Sequence, residues 1–156
     1  MKKVFLFLLL VATLMSCGNK FENDKKHLFS NFWQLSSVEK SGEKMCFDIT
    51  YLKLNENNGG YTFSETGEIR GLLGYDSLIC KNEKTILKTL IIIFDETFFN
   101  SEFKNVTVMT DGDFLSLTTG ENVFRFTNVN DKNILTVLEN EKANNTLTDK
   151  RELIID

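Results

Sequence analysis

The feature that most constrains the fold is a series of short runs in which apolar and polar residues alternate. In Asn122–Asn128, Phe124 and Phe126 fall on one face of the run while Arg125 falls on the other. A period of two is typical of a β-strand with one buried face. The chain has no proline, so glycine, asparagine and aspartate have to form the turns between the runs. This pattern predicts an all-β fold.

The strand-like segments are Asn31–Glu39, Phe47–Leu54, Gly60–Ser64, Glu68–Gly74, Thr85–Phe94, Phe103–Thr110, Phe114–Thr118, Asn122–Asn128, Asn133–Glu139 and Leu147–Ile155. The segment Thr85–Phe94 also fits one face of a helix, but its β-branched Ile91-Ile92-Ile93 favours a strand buried on both faces. Asn58-Gly59 and Asp111-Gly112 fit two-residue hairpin turns, in which both residues need φ > 0. Sequential strands with tight turns predict an antiparallel meander. Closing it into a small barrel of about eight strands removes its exposed edges.

The N-terminus has the organisation of an export signal. Lys2 and Lys3 precede an apolar run from Val4 to Leu14, which has the length of a secretory apolar region and is shorter than the roughly 20 residues that span a bilayer. The run ends in Leu14-Met15-Ser16-Cys17, which resembles the lipobox of bacterial lipoproteins. The resemblance implies cleavage before Cys17 and attachment of a lipid to its sulfur. The alternative is a buried N-terminal helix with Cys17 as an ordinary core cysteine.

This interpretation divides the chain into three parts. Residues 1–16 are the signal peptide, and residues 17–27 are a flexible tether with the lipidated Cys17, because Gly18–His27 is polar and shows no periodicity. Residues 28–156 form a single barrel domain. We expect a lipid-anchored protein of the bacterial cell envelope. Because Gly18 follows the cysteine, in place of the aspartate that often retains lipoproteins at the inner membrane, its expected location is the outer membrane, at the periplasmic face or the cell surface.

Charge and composition restrict the partners. The mature chain has 16 basic and 22 acidic residues once Lys2 and Lys3 are removed. An acidic balance argues against nucleic acid and anionic lipid headgroups as partners, because phosphate binding needs a basic face. The membrane partner is therefore reached through the lipid anchor. Fourteen phenylalanines are ample for an apolar core.

No group of titratable residues indicates catalysis. The one histidine, His27, lies in the tether, so the chain cannot form a histidine-based triad or a site with several histidine ligands. Asp95 and Asp111-Gly112-Asp113 lack the ligand spacing of a calcium loop. We predict no enzyme, no metal and no cofactor. Cys46 and Cys80 are candidates for a disulfide in an oxidising compartment, and the alternative is two buried free thiols.

Two segments resemble a known family. Phe32-Trp33-Gln34-Leu35, followed by a meander, and the hairpins of Glu102–Val129 are similar to lipocalin-like domains in lipoproteins of Bacteroidetes-type bacteria. The resemblance implies a lipocalin-like barrel with Trp33 in the core at its floor. A second candidate is the META-type domain, which also opens with W-x-L-x-S and which Arg70–Asp76 resembles in part.

The function expected from these features is noncatalytic binding. In one hypothesis the barrel holds a small apolar ligand, and Phe63, Phe124 and Phe126 line the pocket. In the other, a plugged barrel acts through its surface on an envelope protein, as an inhibitor, immunity or assembly factor. The volume inside the barrel separates the two, because a ligand pocket needs roughly 300 Å³ or more.

Overall fold

The computed structural model describes residues 18–93, 95–98 and 100–152. Within these ranges the chain forms two helices and ten strands, which are residues 18–30 (α1), Trp33–Lys40 (β1), Glu43–Met45 (β2), Tyr51–Leu54 (β3), Gly59–Phe63 (β4), Ile69–Lys81 (β5), Lys84–Ile93 (β6), Ser101–Phe103 (β7), Val106–Thr110 (β8), Phe114–Thr119 (β9), Asn122–Asn128 (β10) and Lys132–Glu152 (α2).

Eight of the strands close into an antiparallel barrel. The order is β1-β3-β4-β5-β6-β8-β9-β10, and β10 pairs back to β1 with Trp33 opposite Asn128. The other two strands, β2 and β7, add no further position to the ring. β2 pairs with the same edge of β1 as β3 does, and β7 pairs with the same edge of β6 as β8 does. The predicted all-β, antiparallel small barrel is therefore confirmed.

The interior of the barrel is an apolar core. Trp33 is fully buried in it, as predicted, and its indole N–H donates to the Leu28 carbonyl at 3.2 Å. Side chains from every strand of the closed ring except β4 contribute to the same core, including Leu35, Leu52, Tyr75, Leu87, Val108, Leu117 and Phe126. Each of these seven strands thus presents one face inward, as the period of two requires.

The prediction of a flexible tether over Gly18–His27 was wrong, because residues 18–30 are helical. Asp24 is buried and accepts a hydrogen bond from the Thr85 hydroxyl at 2.5 Å, and Leu28, four residues later, is fully buried in the barrel core. Residues four apart lie on one helical face. The sequence pattern did not reveal this buried helical face, because the first of its two buried residues, Asp24, is charged and not apolar. Cys17 and the signal peptide lie outside the described residues.

The predictions of strands over Asn133–Glu139 and Leu147–Ile155 were also wrong, because α2 covers this part of the chain up to Glu152. Asp131 starts the helix: its Oδ1 accepts from the backbone N–H groups of Asn133 at 2.8 Å and Ile134 at 3.4 Å, which is N-capping. Leu138 packs α2 onto the outside of the barrel in a second apolar cluster. Within the described residues, neither helix combines the length and apolarity needed to cross a bilayer.

Several strand boundaries differ from the predicted ones. β5 continues to Lys81, and the predicted strand Phe103–Thr110 is broken into β7 and β8 beside Asn105, whose φ is +52°. In β6, Leu90 and Ile92 are buried while Ile91 is exposed. β6 is therefore a strand with one buried face, not a strand buried on both faces.

Candidate functional site

The barrel interior beside Phe124 and Phe126 is filled. The space that these rings line measures about 10 Å³, and its other lining residues are almost all apolar. The rings of Phe98 and Phe103 pack on Phe124 with centroids 5.4 and 5.3 Å away. Pockets for small ligands measure roughly 300–1,000 Å³, so this space does not accommodate one.

The structure does not bring the three predicted pocket residues together. Phe124 and Phe126 lie in the barrel core, whereas Phe63 lies in the second cluster, with Tyr51 and Leu138, outside the barrel wall and under α2. A β-bulge between Thr62 and Phe63 in the pairing with β5 accompanies this placement.

The proposed disulfide between Cys46 and Cys80 is not formed. Cys46 is a free and exposed thiol, while Cys80 is disulfide-bonded. Cys46 lies just after the short strand β2 and Cys80 lies near the end of β5. The number of residues between two cysteines does not determine the distance between their sulfur atoms, so the sequence alone could not decide whether Cys46 and Cys80 pair.

A polar cleft of about 450 Å³ lies where α1, the end of β3 and α2 meet. We call it the lysine cleft, because its lining residues include four lysines and two glutamates: Glu22, Lys25, Lys26, Phe29, Ser30, Lys53, Asn55, Glu56 and Lys142. The charge balance of this cleft is opposite to that of the whole chain, which has 22 acidic and 18 basic residues.

Lys53 is the buried lysine of the lysine cleft. Its neighbours Leu52 and Leu54 in β3 point into the barrel, so Lys53 lies on the outer face, where α1 leaves it only 6% exposed. Its Nζ donates to the carbonyls of Phe29 at 2.7 Å and Asn31 at 3.3 Å. These carbonyls are at the C-terminal end of α1, where a cation interacts favourably with unpaired backbone acceptors.

The electrostatics of Lys53 differ from those of an exposed lysine. The pKa of Lys53 is lowered to about 8, chiefly by burial and then by the neighbouring charge of Lys142, while the charge of Glu139 opposes the shift. The ammonium also lies 4.8 Å from the centre of the Phe32 ring, which favours the charged form. The cleft therefore holds a desolvated cation that further negative charge would stabilise.

A second cavity, of about 480 Å³, lies on the outer face of β8, β9, β10 and β1. We call it the outer groove; its lining residues are Lys20, Ser36, Met109, Thr110, Asp111, Phe114, Leu115, Ser116, Arg125, Phe126 and Thr127. Met109 and Phe114 are each 60% exposed. Ser116 pairs with Met109 on one side and Arg125 on the other, so a small side chain between two long ones forms the depression.

One buried carboxylate has an unpaired oxygen. Asp95 is fully buried, and its Oδ1 accepts from the backbone N–H groups of Thr97 at 2.8 Å and Phe98 at 3.3 Å, while its Oδ2 has no hydrogen-bond partner. Among the residues that the structure describes, no group of three His, Cys, Asp or Glu side chains is placed to hold a metal ion.

Sequence reasoning missed both surface cavities. The lysine cleft depends on α2, and the spacing of Ile134, Val137 and Leu138 after the cap Asp131 was the available helical signal. The outer groove had a weaker signal, because Phe114 lies at the start of an alternating run and only the strand register shows which way it points.

Comparisons of the chain with protein-family models, with curated proteins and with solved structures gave no match.

Proposed function

We propose that this chain is a lipid-anchored, noncatalytic binding protein of the bacterial envelope that acts through its outer surface on a protein partner. The observation that carries the proposal is the filled interior: the space beside Phe124 and Phe126 is about 10 Å³, far below the roughly 300 Å³ that a small ligand needs. A lipocalin-like barrel would then serve as a rigid scaffold. Its outer cavities are the places where binding occurs.

The lysine cleft is the proposed contact for this partner, and the partner segment is acidic. Lys25 and Lys26 come from α1, and Lys53 comes from β3. Within the described residues, the hydrogen-bond acceptors that hold the buried Lys53 ammonium are backbone carbonyls. A carboxylate from a partner would add a charge-assisted contact in a site with little water, where such contacts are strongest.

The anchor is proposed at Cys17, from the lipobox-like Leu14-Met15-Ser16-Cys17. The outer membrane is the proposed location. We test the anchor with Cys17→Ser, which should abolish the acyl mass of the mature protein and release it from the membrane fraction. Intact mass spectrometry of the wild-type chain is the direct measurement. The disulfide at Cys80 competes with this proposal, because Cys46 is free and a sulfur in a disulfide cannot also carry a thioether. A mature chain without acyl groups and with the Cys17 sulfur in a disulfide would overturn the anchor.

The binding mode is tested by photo-crosslinking in living cells. A photo-reactive residue replacing Lys26, in the lysine cleft, should give a discrete adduct with a partner, identified by mass spectrometry at an acidic segment. The matched control is Lys88, an exposed lysine on β6. Adducts of equal yield at both positions would contradict the assignment. A fluorescent fatty acid that binds the purified barrel at micromolar concentration, and is lost in Phe124→Ala, would return the function to the interior.

A further inference from the structure

We infer that the partner segment that enters the lysine cleft also crosses α1 and places a large apolar side chain in the outer groove. The inference rests on the proposed function, in which the lysine cleft receives an acidic segment of a protein partner. It adds the pattern that this segment should carry, which is acidic residues at one end and an apolar anchor at the other.

Helix α1 is a wall that the two cavities share. Lys20 lines the outer groove, while Glu22, Lys25 and Phe29 line the lysine cleft. Successive residues of an α-helix are turned by about 100° around its axis. This places Lys20 on one side of the buried residue Asp24, and Lys25 and Phe29 on the other. The exposed surface of α1 is therefore the ridge between the two cavities.

The groove side of α1 packs against the rim of the outer groove. A methyl group on Gly112 would lie 3.0 Å from Cε1 of His27, so the His27 ring rests on this glycine. Just after the helix, Asn31 Nδ2 donates to the Gly112 carbonyl at 3.2 Å. Asp111 and Phe114, on either side of this contact in the sequence, line the outer groove. A chain that leaves the groove over this rim therefore meets α1 directly.

The charges along this path are complementary to an acidic segment. The lysine cleft has twice as many lysines as glutamates, and Lys20 extends this series of cations, with Lys25 and Lys26, to the outer groove. Asn19 and Asn23 are also exposed on α1. They carry no charge, and their amides can bond to the backbone of a crossing chain. The ridge thus presents cations and neutral amides to the segment.

The outer groove is suited to the apolar end of the segment. Met109 and Phe114 are mostly exposed, beside the small side chain of Ser116. A large apolar side chain that fills such a depression is the kind of anchor that dominates protein interfaces. An α-helix with its side chains is about 10–12 Å across, a distance that three or four extended residues span. The anchor should therefore lie at least about four residues from the acidic end.

The test is photo-crosslinking in living cells, which leaves the protein and its partner in place. One variant carries the photo-reactive residue at Lys26, in the lysine cleft, and a second carries it at Phe114, in the outer groove. The matched control for the groove replaces Ile91, another exposed apolar residue of the outer wall, on β6. Mass spectrometry identifies the partner and maps the crosslinked residues on it. Circular dichroism of each purified variant establishes that it is folded.

The expected result is one partner for both variants. The adduct from Lys26 should map to an acidic residue, and the adduct from Phe114 should map beside an apolar residue at least about four positions away. Ile91 should give no such adduct. In the Lys26 variant, an added Phe114→Ser should lower the adduct yield about tenfold or more, and an added Ile91→Ser should not.

The other outcomes separate the inference from the proposed function. An adduct from Lys26 alone, a lipid or a different protein at Phe114, equal adducts at Phe114 and Ile91, or a yield that Phe114→Ser does not lower would overturn the crossing of α1 and leave the lysine cleft as the partner site. The absence of a protein adduct from both Lys26 and Phe114 in folded variants would overturn the proposed function, and the inference with it.

Discussion

The inner and outer faces of β8, β9 and β10 have opposite properties, although the two faces alternate residue by residue along the same strands. Leu115 and Leu117 point inward and are buried, while Phe114 on the same strand is mostly exposed. The inner face packs against Phe98 and Phe103 and leaves about 10 Å³. The outer face leaves a groove of about 480 Å³. Phenylalanine thus fills space on one face and offers a surface on the other.

This difference indicates where binding can take place. A lipocalin-like carrier would need free volume on the inner face, and the structure has its free volume on the outer face. The outer wall is itself divided, because α2 covers β3 and β4 through Leu138 and Phe63 but leaves β8 to β10 open. The following predictions test whether side chains on the inner face stabilise the fold and side chains on the open outer face do not.

Phe124→Ala should have the largest effect. The ring is buried against two other rings and cannot be replaced by water, so we expect a loss of about 3–5 kcal/mol in the free energy of unfolding. The matched control Phe114→Ala removes the same atoms from an exposed position and should change stability by less than about 0.5 kcal/mol. Urea unfolding followed by circular dichroism measures both. Equal losses would mean that the two faces are not different in the way described.

Leu138→Ala tests the part of the outer wall that α2 covers. Leu138 is fully buried between α2 and the barrel, so its truncation should cost about 2–4 kcal/mol. Val137→Ala, on the neighbouring and exposed position of α2, is the control and should be close to neutral. Limited proteolysis should cut within α2 sooner in Leu138→Ala. An unchanged cleavage rate would show that α2 is not held by this contact.

The barrel itself could be predicted from the sequence, because its strands alternate cleanly and the core rings fall on one face. β10 has the predicted bounds, and β1 and β9 differ by two residues or fewer at each end. The helices could not be predicted as easily. In α2, Leu135 and Val137 also alternate, so the strand pattern competed with the capping signal of Asp131, and the cap was the better guide.

The turns show a second limit. The predicted pair Asn58-Gly59 has positive φ only at Asn58. Positive φ at both turn residues occurs at Ser41-Gly42, at +52° and +83°, and at Asn82-Glu83, at +51° and +59°, and the second pair has no glycine. The pairing of Lys81 with Lys84 imposes that turn, so the strand register determines the turn and not the reverse. The lysine cleft could not be predicted because it is formed between α1, β3 and α2, and neither helix was recognised from the sequence.

Lys53→Met tests the electrostatics of the lysine cleft. The pKa of Lys53 is about 8 in the folded chain and about 10.4 in an unfolded one. Between these values the unfolded state binds the additional proton, so this group makes stability rise with pH from about 8 to 10. Below pH 8 both states are protonated and the slope vanishes. We expect this rise in the wild type, and not in Lys53→Met, in urea unfolding at successive pH values.

Two tyrosines set the upper limit of the pH range in which the Lys53 comparison can be made. Burial raises the pKa of Tyr51 and of Tyr75 above the ordinary value of 10.0. A raised tyrosine pKa retains a proton in the folded state, so its stabilising contribution is present below pH 10 and is lost above it. The comparison therefore ends at pH 10. The control Lys88→Met removes an exposed lysine and should leave the pH dependence of stability unchanged. If the free energy of unfolding had the same pH dependence in the wild type and in Lys53→Met, the lowered pKa assigned to Lys53 would be contradicted.

The smallest effect is expected for the ion pair at the rim of the outer groove. Arg125 Nη1 lies 2.8 Å from Glu39 Oε1, and both side chains are partly exposed. Such pairs contribute about 0.2–1 kcal/mol and are screened by salt. A double-mutant cycle of Arg125→Ala and Glu39→Ala should therefore give a small coupling energy that falls toward zero in molar salt. A coupling above about 2 kcal/mol that resists salt would mean that this rim is dry and rigid, and the outer face would then have a structural role like the inner one.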